Sequence, residues 1–343
     1  MAKTLLSRRL MLAALAGTSM VAAGFGLVGT AAAQEARIAA VVQSLDTEFN
    51  VLWADAANRH PLVEDGTIAL TVLDGRMDAL QQSNQFDTAI AEGYDAIIFV
   101  PVDINAGNDP VQRAMEAGIP VIGSNTLISD TDLYESYISS NDVEAGRILA
   151  ESVIEKMGGS GNVVIVEGMI GQSAQVQRLE GIEEALAANP DVTVLEQRTA
   201  NWSRAEALSL VENWLISRGG EINGIIAQND EMAIGALEAV KAAGLDPAEV
   251  PVAGVDGVTD ALLAVQRGEM MSTLQDADAQ AQGAIDLAMA AIEGEGYEPR
   301  AAVWDVNGGE MAWDGGQSQQ YSVPWVPVTA DNVEDLLAMR QNQ

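Results

Sequence analysis

The sequence predicts an α/β protein made of two doubly wound parallel-sheet lobes. Short, β-branched apolar runs alternate with amphipathic stretches almost without interruption from residue 37 onward. Unbroken alternation of this kind means parallel strands covered on both faces by their connecting helices. Some ten such units occur, more than one sheet holds comfortably, and two domains are the economical division. No low-complexity linker and no 20–50-residue repeat offers another architecture.

The runs follow in order. RIAAVVQSL (37–45) is apolar continuously rather than at every second residue, the mark of a strand buried on both faces, and a helix follows around 48–60. TIALTVLDG (67–75) leads into a helix at 78–92, and AIIFVPVD (96–103) into one at 107–117. IPVIGSNT (119–126) closes this first set. A second set begins near SYISSND (136–142), followed by the helical VEAGRILAESVIEKMG (143–158). NVVIVEG (162–168), VTVLEQRTA (192–200), GIIAQND (224–230) and VPVAGVDG (250–257) each lead into a helical pattern, and MMSTLQD (270–276) starts one more unit.

The first 33 residues are not expected in the mature fold. Lys3, Arg8 and Arg9 precede an apolar run from Leu10 to Val28 that ends in small residues, the layout of a secretory signal cleaved after Ala33. SRRLML (7–12) partly matches a twin-arginine signal, so either export route places the protein in the periplasm. GFGLVG (24–29) satisfies the dinucleotide-binding fingerprint, but it lies inside the signal and not between a strand and a helix.

Charge and cysteine content exclude several classes. The formal charge is −33, and the signal holds three of the 17 basic residues, leaving 14 against 50 acidic ones. Nucleic acid is therefore excluded as a partner, since its phosphates require displacing cations. With no cysteine there is no disulfide, no thiolate metal site and no lipid-modified cysteine after the signal. No cofactor motif or metal-ligand motif is present, and His60, the one histidine, cannot build a Ser-His-Asp triad without an elbow serine. An enzyme is not expected.

Polar residues gather where strands end. LD (45–46), VD (102–103), SN (124–125), ND (229–230), VD (255–256) and QD (275–276) all fall at carboxyl ends, the side on which open parallel sheets bind ligands. One such residue reads as a helix cap; six from both halves read as a polar cleft. Amides and carboxylates suit vicinal hydroxyls, which both donate and accept, and aromatic rings suit the apolar faces of such molecules. Phe49, Trp53 and Trp202 sit at strand-to-helix junctions in a chain with only 4% aromatics. Core packing is the competing reading for Trp53.

AQNDEMAIGA (227–236), AGVDG (253–257), IPVIGSN (119–125) and the IGQSAQ…RLEG segment (170–181), with the signal, give the chain a family resemblance. It resembles the periplasmic sugar-binding proteins of ABC importers, the ribose-binding group above all, over nearly all of residues 36–300. The resemblance implies two Rossmann-like lobes joined by a three-crossover hinge, residues 34–139 plus about 277–320 and residues 140–276 plus about 321–343. It also implies a monomer that closes on a sugar or polyol and hands it to a transporter permease. A ligand-presenting sensor is the alternative, with a secreted carbohydrate-active enzyme behind it.

Residue by residue, the resemblance matches Asn229 and Asp256 to hydroxyl-binding positions, Trp202 to the stacking aromatic and Phe49 to a first-lobe phenylalanine. Thr47 and Asn50 depart from the family pattern. The hinge-side position falls on Gln275 or Asp276, with a one-residue ambiguity. Asn125 and Thr126 stand where ribose binders read aspartate-arginine, and Gln175 or Val176 where they carry arginine. A pocket richer in amides and poorer in guanidinium groups points to another pentose, a hexose, or a cyclic or acyclic polyol. The expected ligand set is Phe49, Asn50, Trp53, Asp103, Asn125, Gln172, Gln175, Trp202, Asn229, Asp256 and Asp276. The Trp-rich stretch 300–337 is longer than the ribose-binding tail and is expected mainly to pack.

Overall fold

The computed structural model describes residues 35–341, so the expected signal segment lies outside the described residues. The first sheet draws on β1 (Ala36–Val42), β2 (Ile68–Asp74), β3 (Ala96–Phe99), β4 (Val121–Ser124) and β5 (Ser136–Ser139). Its early helices are α1 (Glu48–Asn58), α2 (Pro61–Glu64), α3 (Ala79–Glu92) and α4 (Asn108–Glu116). The second sheet contains β6 (Gly161–Glu167), β7 (Val192–Thr199), β8 (Gly224–Ala227), β9 (Val252–Asp256) and β10 (Met271–Leu274). Its helices are α5 (Asp142–Lys156), α6 (Ser173–Ala188), α7 (Arg204–Arg218), α8 (Asp230–Ala242) and α9 (Thr259–Gln266). The chain then runs through α10 (Ala277–Glu293), α11 (Val303–Asn307), β11 (Gln320–Ser322), β12 (Val326–Pro327) and α12 (Val333–Gln341).

Each sheet has six strands, in the orders β11-β5-β4-β3-β1-β2 and β12-β10-β9-β8-β6-β7. All pairings are parallel except β10 with β12. β5 pairs with β4, so the run at 136–142 completes the first sheet instead of opening the second. The chain crosses between sheets three times: from β5 to α5, from β10 to α10 and from β11 to β12. Because β11 reaches Ser322, the third crossing lies two residues beyond the boundary expected at 320. The short strands β11 and β12 carry no alternating or apolar pattern long enough to be read from sequence.

Small residues set the helix spacing. A Cβ added to Gly146 of α5 would lie 1.9 Å from the Arg178 carbonyl oxygen, and one on Gly181 of α6 would lie 1.9 Å from that of Val143. The two backbones therefore touch, which larger side chains would prevent, and this contact fixes where α6 presents Arg178. On the first sheet, Gly283 lets α10 press to within 2.5 Å, measured from a notional Cβ, of Ile138 Cδ1. The tail 297–322 is anchored by buried Asp286, which accepts from Tyr297 Oη (2.5 Å), Trp304 Nε1 (2.8 Å), Arg300 N (2.9 Å) and Ala301 N (3.0 Å). Trp304, Trp313, Tyr297 and Tyr321 pack edge-on and stacked around it. Trp325 lies at the third crossing and donates to the Asn141 carbonyl at 2.7 Å. No helix among the described residues is long and apolar enough to cross a membrane.

Candidate ligand-binding cleft

A cavity of about 430 Å³ lies between the carboxyl ends of the two sheets, within the usual size of small-molecule sites. Gln43, Phe49 and Asn50 reach it from the β1–α1 loop and α1, and Asn125 from the end of β4. The second lobe contributes Gln172 and Arg178 around α6, Trp202 after β7, Asn229 after β8, Asp256 from β9 and Gln275 after β10.

Backbone strain concentrates here. Six described non-glycine residues have positive φ, and five line the cavity: Met77 (54°), Asn125 (62°), Asn201 (51°), Trp202 (63°) and Asp256 (133°). Each such conformation costs on the order of 1–3 kcal/mol and persists where surrounding structure enforces it, commonly at binding sites.

The tetrad Gln228-Asn229-Asp230-Glu231, where β8 hands over to α8, divides its work between buried scaffolding and the cavity. Gln228 is fully buried, accepts from Gly168 N (2.8 Å) and donates to the Gln175 carbonyl (3.1 Å). Asp230 is fully buried and accepts from Gly257 N (2.7 Å), Val258 N (3.1 Å) and Ser272 Oγ (2.9 Å). It thus holds the turn that carries Asp256. Burial raises the Asp230 carboxyl to about 7, although these hydrogen bonds pull it down. Asn229 and Glu231 face the cavity. Asn229 both caps α8, accepting from Met232 N at 3.0 Å, and leaves its Nδ2 without a partner among the described residues. The cap reading and the cleft reading of this residue are compatible.

Asp256 is 5% exposed; its carbonyl accepts from Gln275 N at 3.2 Å, but its carboxyl group has no hydrogen-bond donor among the described residues. Burial pushes its carboxyl well above the usual range, while the Arg178 guanidinium pulls it back. Two buried donors at the cleft are also unpartnered, Trp202 Nε1 and Gln275 Nε2. The Trp202 ring lies on the backbone of Gly168, where an added Cβ would fall 2.0 Å from ring carbons. Asn125 donates to Gln280 Oε1 at 2.9 Å, leaving its oxygen for the cavity. Asn50 is held by Gln43 (2.8 Å) and Ser44 (3.1 Å). Gln172 Nε2 donates to Gln43 Oε1 across the cleft.

Seven of the residues expected from sequence line the cavity: Phe49, Asn50, Asn125, Gln172, Trp202, Asn229 and Asp256. Four do not. Trp53 is 2% exposed in the core and donates to Ser124 Oγ at 3.1 Å. Asp103 closes its own turn, accepting from Asn105 N (2.8 Å) and Ala106 N (2.7 Å). Gln175 turns away from the cavity to donate to Glu167 Oε2 at 2.6 Å. Asp276 caps α10 through Ala279 N at 2.9 Å, and its neighbour Gln275 takes the cleft position.

Arg178 corrects the expectation of a guanidinium-poor pocket. It lines the cavity, 3% exposed, with Nε donating to Asp142 Oδ1 (2.8 Å) and Nη1 to the Gln228 carbonyl (2.6 Å). Its guanidinium carbon sits 5.8 Å from the Trp202 ring centroid. Arg178 follows the cavity-lining Ala174 by four residues and so shares its helix face, a placement that only the folded chain shows. Burial raises the Asp142 carboxyl, and the Arg178 charge opposes that rise. No metal-binding cluster occurs among the described residues.

Comparison with known proteins places this geometry. A family model described as "Periplasmic binding protein domain" matches residues 25–296. A xylitol-binding protein of Mycolicibacterium smegmatis is 39% identical over 219 residues, 64% of this chain and 62% of that protein. The match thus spans less than two thirds of that relative's length. A putative rhizopine-binding protein of Rhizobium meliloti is 35% identical over 278 residues, 79% of this chain and 89% of the relative. An ABC transporter solute-binding protein of Bacillus halodurans, solved with bound myo-inositol, superposes with a TM-score of 0.79 at 30% identity, covering 90% of this chain and 99% of that one. With two parallel-dominated sheets joined by three crossings and a cleft between them, these matches show that the chain belongs to the periplasmic binding protein domain family.

Proposed function

We propose that this protein captures a neutral polyhydroxy compound between its lobes, a cyclic or acyclic polyol before an aldose such as ribose, and delivers it to an ABC importer. The observation that carries this reading is the donor set. Amides from both lobes and one unpartnered carboxylate converge on the cavity, with two unpartnered buried donors beside them. Hydroxyls satisfy such groups in either direction. The cavity's buried cation already has a counter-ion, since Arg178 donates through Nε to Asp142 and through Nη1 to the Gln228 carbonyl, with Nη2 at 3.5 Å from Gln275 Oε1. Arg204 is likewise paired, with Glu231 (2.8 Å) and Asp260 (2.7 Å). A zwitterion or organic acid would therefore have to share each cation of the cavity with a carboxylate already paired to it.

The named ligands of the relatives, xylitol and myo-inositol, support the polyol class. Three crossings allow the lobes to part and close about the ligand. Delivery to a permease, action as a monomer and a periplasmic location after signal cleavage belong to the same proposal. A ligand that binds only the folded protein raises its melting temperature. Thermal melts against a panel containing xylitol, myo-inositol, ribose, amino acids and organic acids test the reading. A shift with one or more polyols is expected. A shift with an amino or organic acid and with no polyhydroxy compound refutes it.

A further inference from the structure

The cleft is bridged at one rim by a contact that touches none of the cavity. Helix α9 on the second lobe begins at Thr259, and its N-cap residue, Val258, offers no side-chain bond to the first turn. Glu48, which opens α1 on the first lobe, fills the gap. Its Oε1 accepts from Thr259 N at 2.8 Å and from Thr259 Oγ1 at 2.5 Å. An N-terminal helix turn leaves amides that need acceptors, and a carboxylate there also meets the positive end of the helix dipole. Here the acceptor comes from the opposite lobe, so the cap exists only while the lobes are together.

The other bridging contacts differ in kind. The Ile104 amide donates to the Gly171 carbonyl at 2.8 Å, the Leu127 amide to Ser173 Oγ at 2.8 Å, and Gln172 Nε2 to Gln43 Oε1 and to the Pro101 carbonyl at 3.3 Å. The first two join loops outside the cavity lining and the third joins two cavity-lining amides, whereas Glu48, itself outside the lining, reaches across from between Thr47 and Phe49, which belong to it. Glu48 therefore bridges the lobes through a side chain that is not itself part of the cavity lining.

We propose that Glu48 is a closure latch: by capping α9 from the other lobe, it holds a fraction of ligand-free molecules closed and slows reopening once a ligand is inside. The slowed release rests on the solute-binding reading given above; the ligand-free part does not. Loss of a helix cap shifts an equilibrium by roughly five- to thirtyfold, and apparent affinity scales with the closed, competent fraction.

The chain contains no cysteine, so spin labels at Leu80→Cys and Ile216→Cys, 69% and 84% exposed on separate lobes, report lobe separation directly. Pulsed electron-spin distance measurements on ligand-free protein are expected to show a closed population that falls by about tenfold relative to the open one in Glu48→Ala. Glu48→Asp keeps the charge in the first turn of α1 but withdraws it from Thr259, and should open the protein as far as alanine does. Glu48→Gln keeps the reach and an acceptor oxygen, and should lie between. A wild-type distance distribution in Glu48→Ala overturns the latch, as does a ligand-free wild type already fully open. A shift in Glu48→Ala that is absent in Glu48→Asp assigns the effect to α1 and overturns it too. None of these readings needs a ligand, so a wrong solute class shows up separately, as no distance change on adding xylitol or myo-inositol to the wild type.

Discussion

Replacing Asn229 by alanine and by aspartate separates two roles that one side chain fulfils at once. Its oxygen accepts from Met232 N at 3.0 Å and caps α8, while its amide nitrogen is left for the cavity. Alanine removes both functions. The lost cap costs about 1 kcal/mol, equivalent to roughly 2 °C of melting temperature in a chain of this size. Aspartate caps as well as asparagine does, so ligand-free stability should stay within about 0.5 kcal/mol of wild type. Aspartate nevertheless has no N–H to donate, and it brings a negative charge into a cavity already lined by Glu231 and Asp256. A ligand hydroxyl left unpaired costs about 1–3 kcal/mol, which is roughly 5- to 150-fold in Kd. The assay pairs ligand-free melting with calorimetric titration of whichever polyol the melting screen selects. Weak binding in both variants, with a stability loss only in alanine, is the expected pattern. Wild-type affinity in Asn229→Asp would refute the claim that this amide faces the ligand.

Gly168→Ala places a methyl group 2.0 Å from the Trp202 ring; the ring must shift by more than 1 Å to reach ordinary contact distance. Binding should weaken at least tenfold, and indole fluorescence of the ligand-free protein should change; an unaltered Kd would show that the ring does not touch the ligand. Arg178→Met strands Asp142 in a site where both partners are 3% exposed, and breaking a buried pair in this way costs about 3–5 kcal/mol, measurable by urea unfolding. The acids at the cleft also set a pH dependence. Asp142, Asp230, Asp256 and Asp276 are raised by burial, Asp230 to about 7. Between pH 4 and 7 the folded protein thus retains protons that the unfolded chain has released, and stability falls as pH rises through that window. Asp286 and Asp314 are held low by their hydrogen-bond donors despite burial, and their contribution is lost as pH falls below about 4. Calorimetric melting should therefore peak near pH 4, and Asp230→Asn should flatten the slope above it; a melting temperature that falls steadily from pH 8 to 5 would contradict this assignment.

Much of the architecture was present in the chain itself. Continuous apolar runs such as IAAVV and VVIV can only be strands covered on both faces, and the helices between them make the sheets parallel. Clustered polar strand ends then place a cleft at the carboxyl edges. These are local properties, set by residues within a few positions of one another. Other features needed the packed molecule. At Gln275-Asp276 one residue of register decides which side chain lines the cavity and which caps α10, because successive side chains of an extended chain point opposite ways. Arg178 enters the cleft because glycines 146 and 181 bring α5 and α6 into backbone contact, a pairing of residues far apart in sequence. Trp53 and Gln175 carry the same chemistry as the residues beside them, yet they turn to Ser124 and Glu167 instead. Glu48 meets Thr259 across 211 positions. Local pattern fixes which residues reach the edge of a sheet; the direction each then faces depends on partners that only the folded chain supplies.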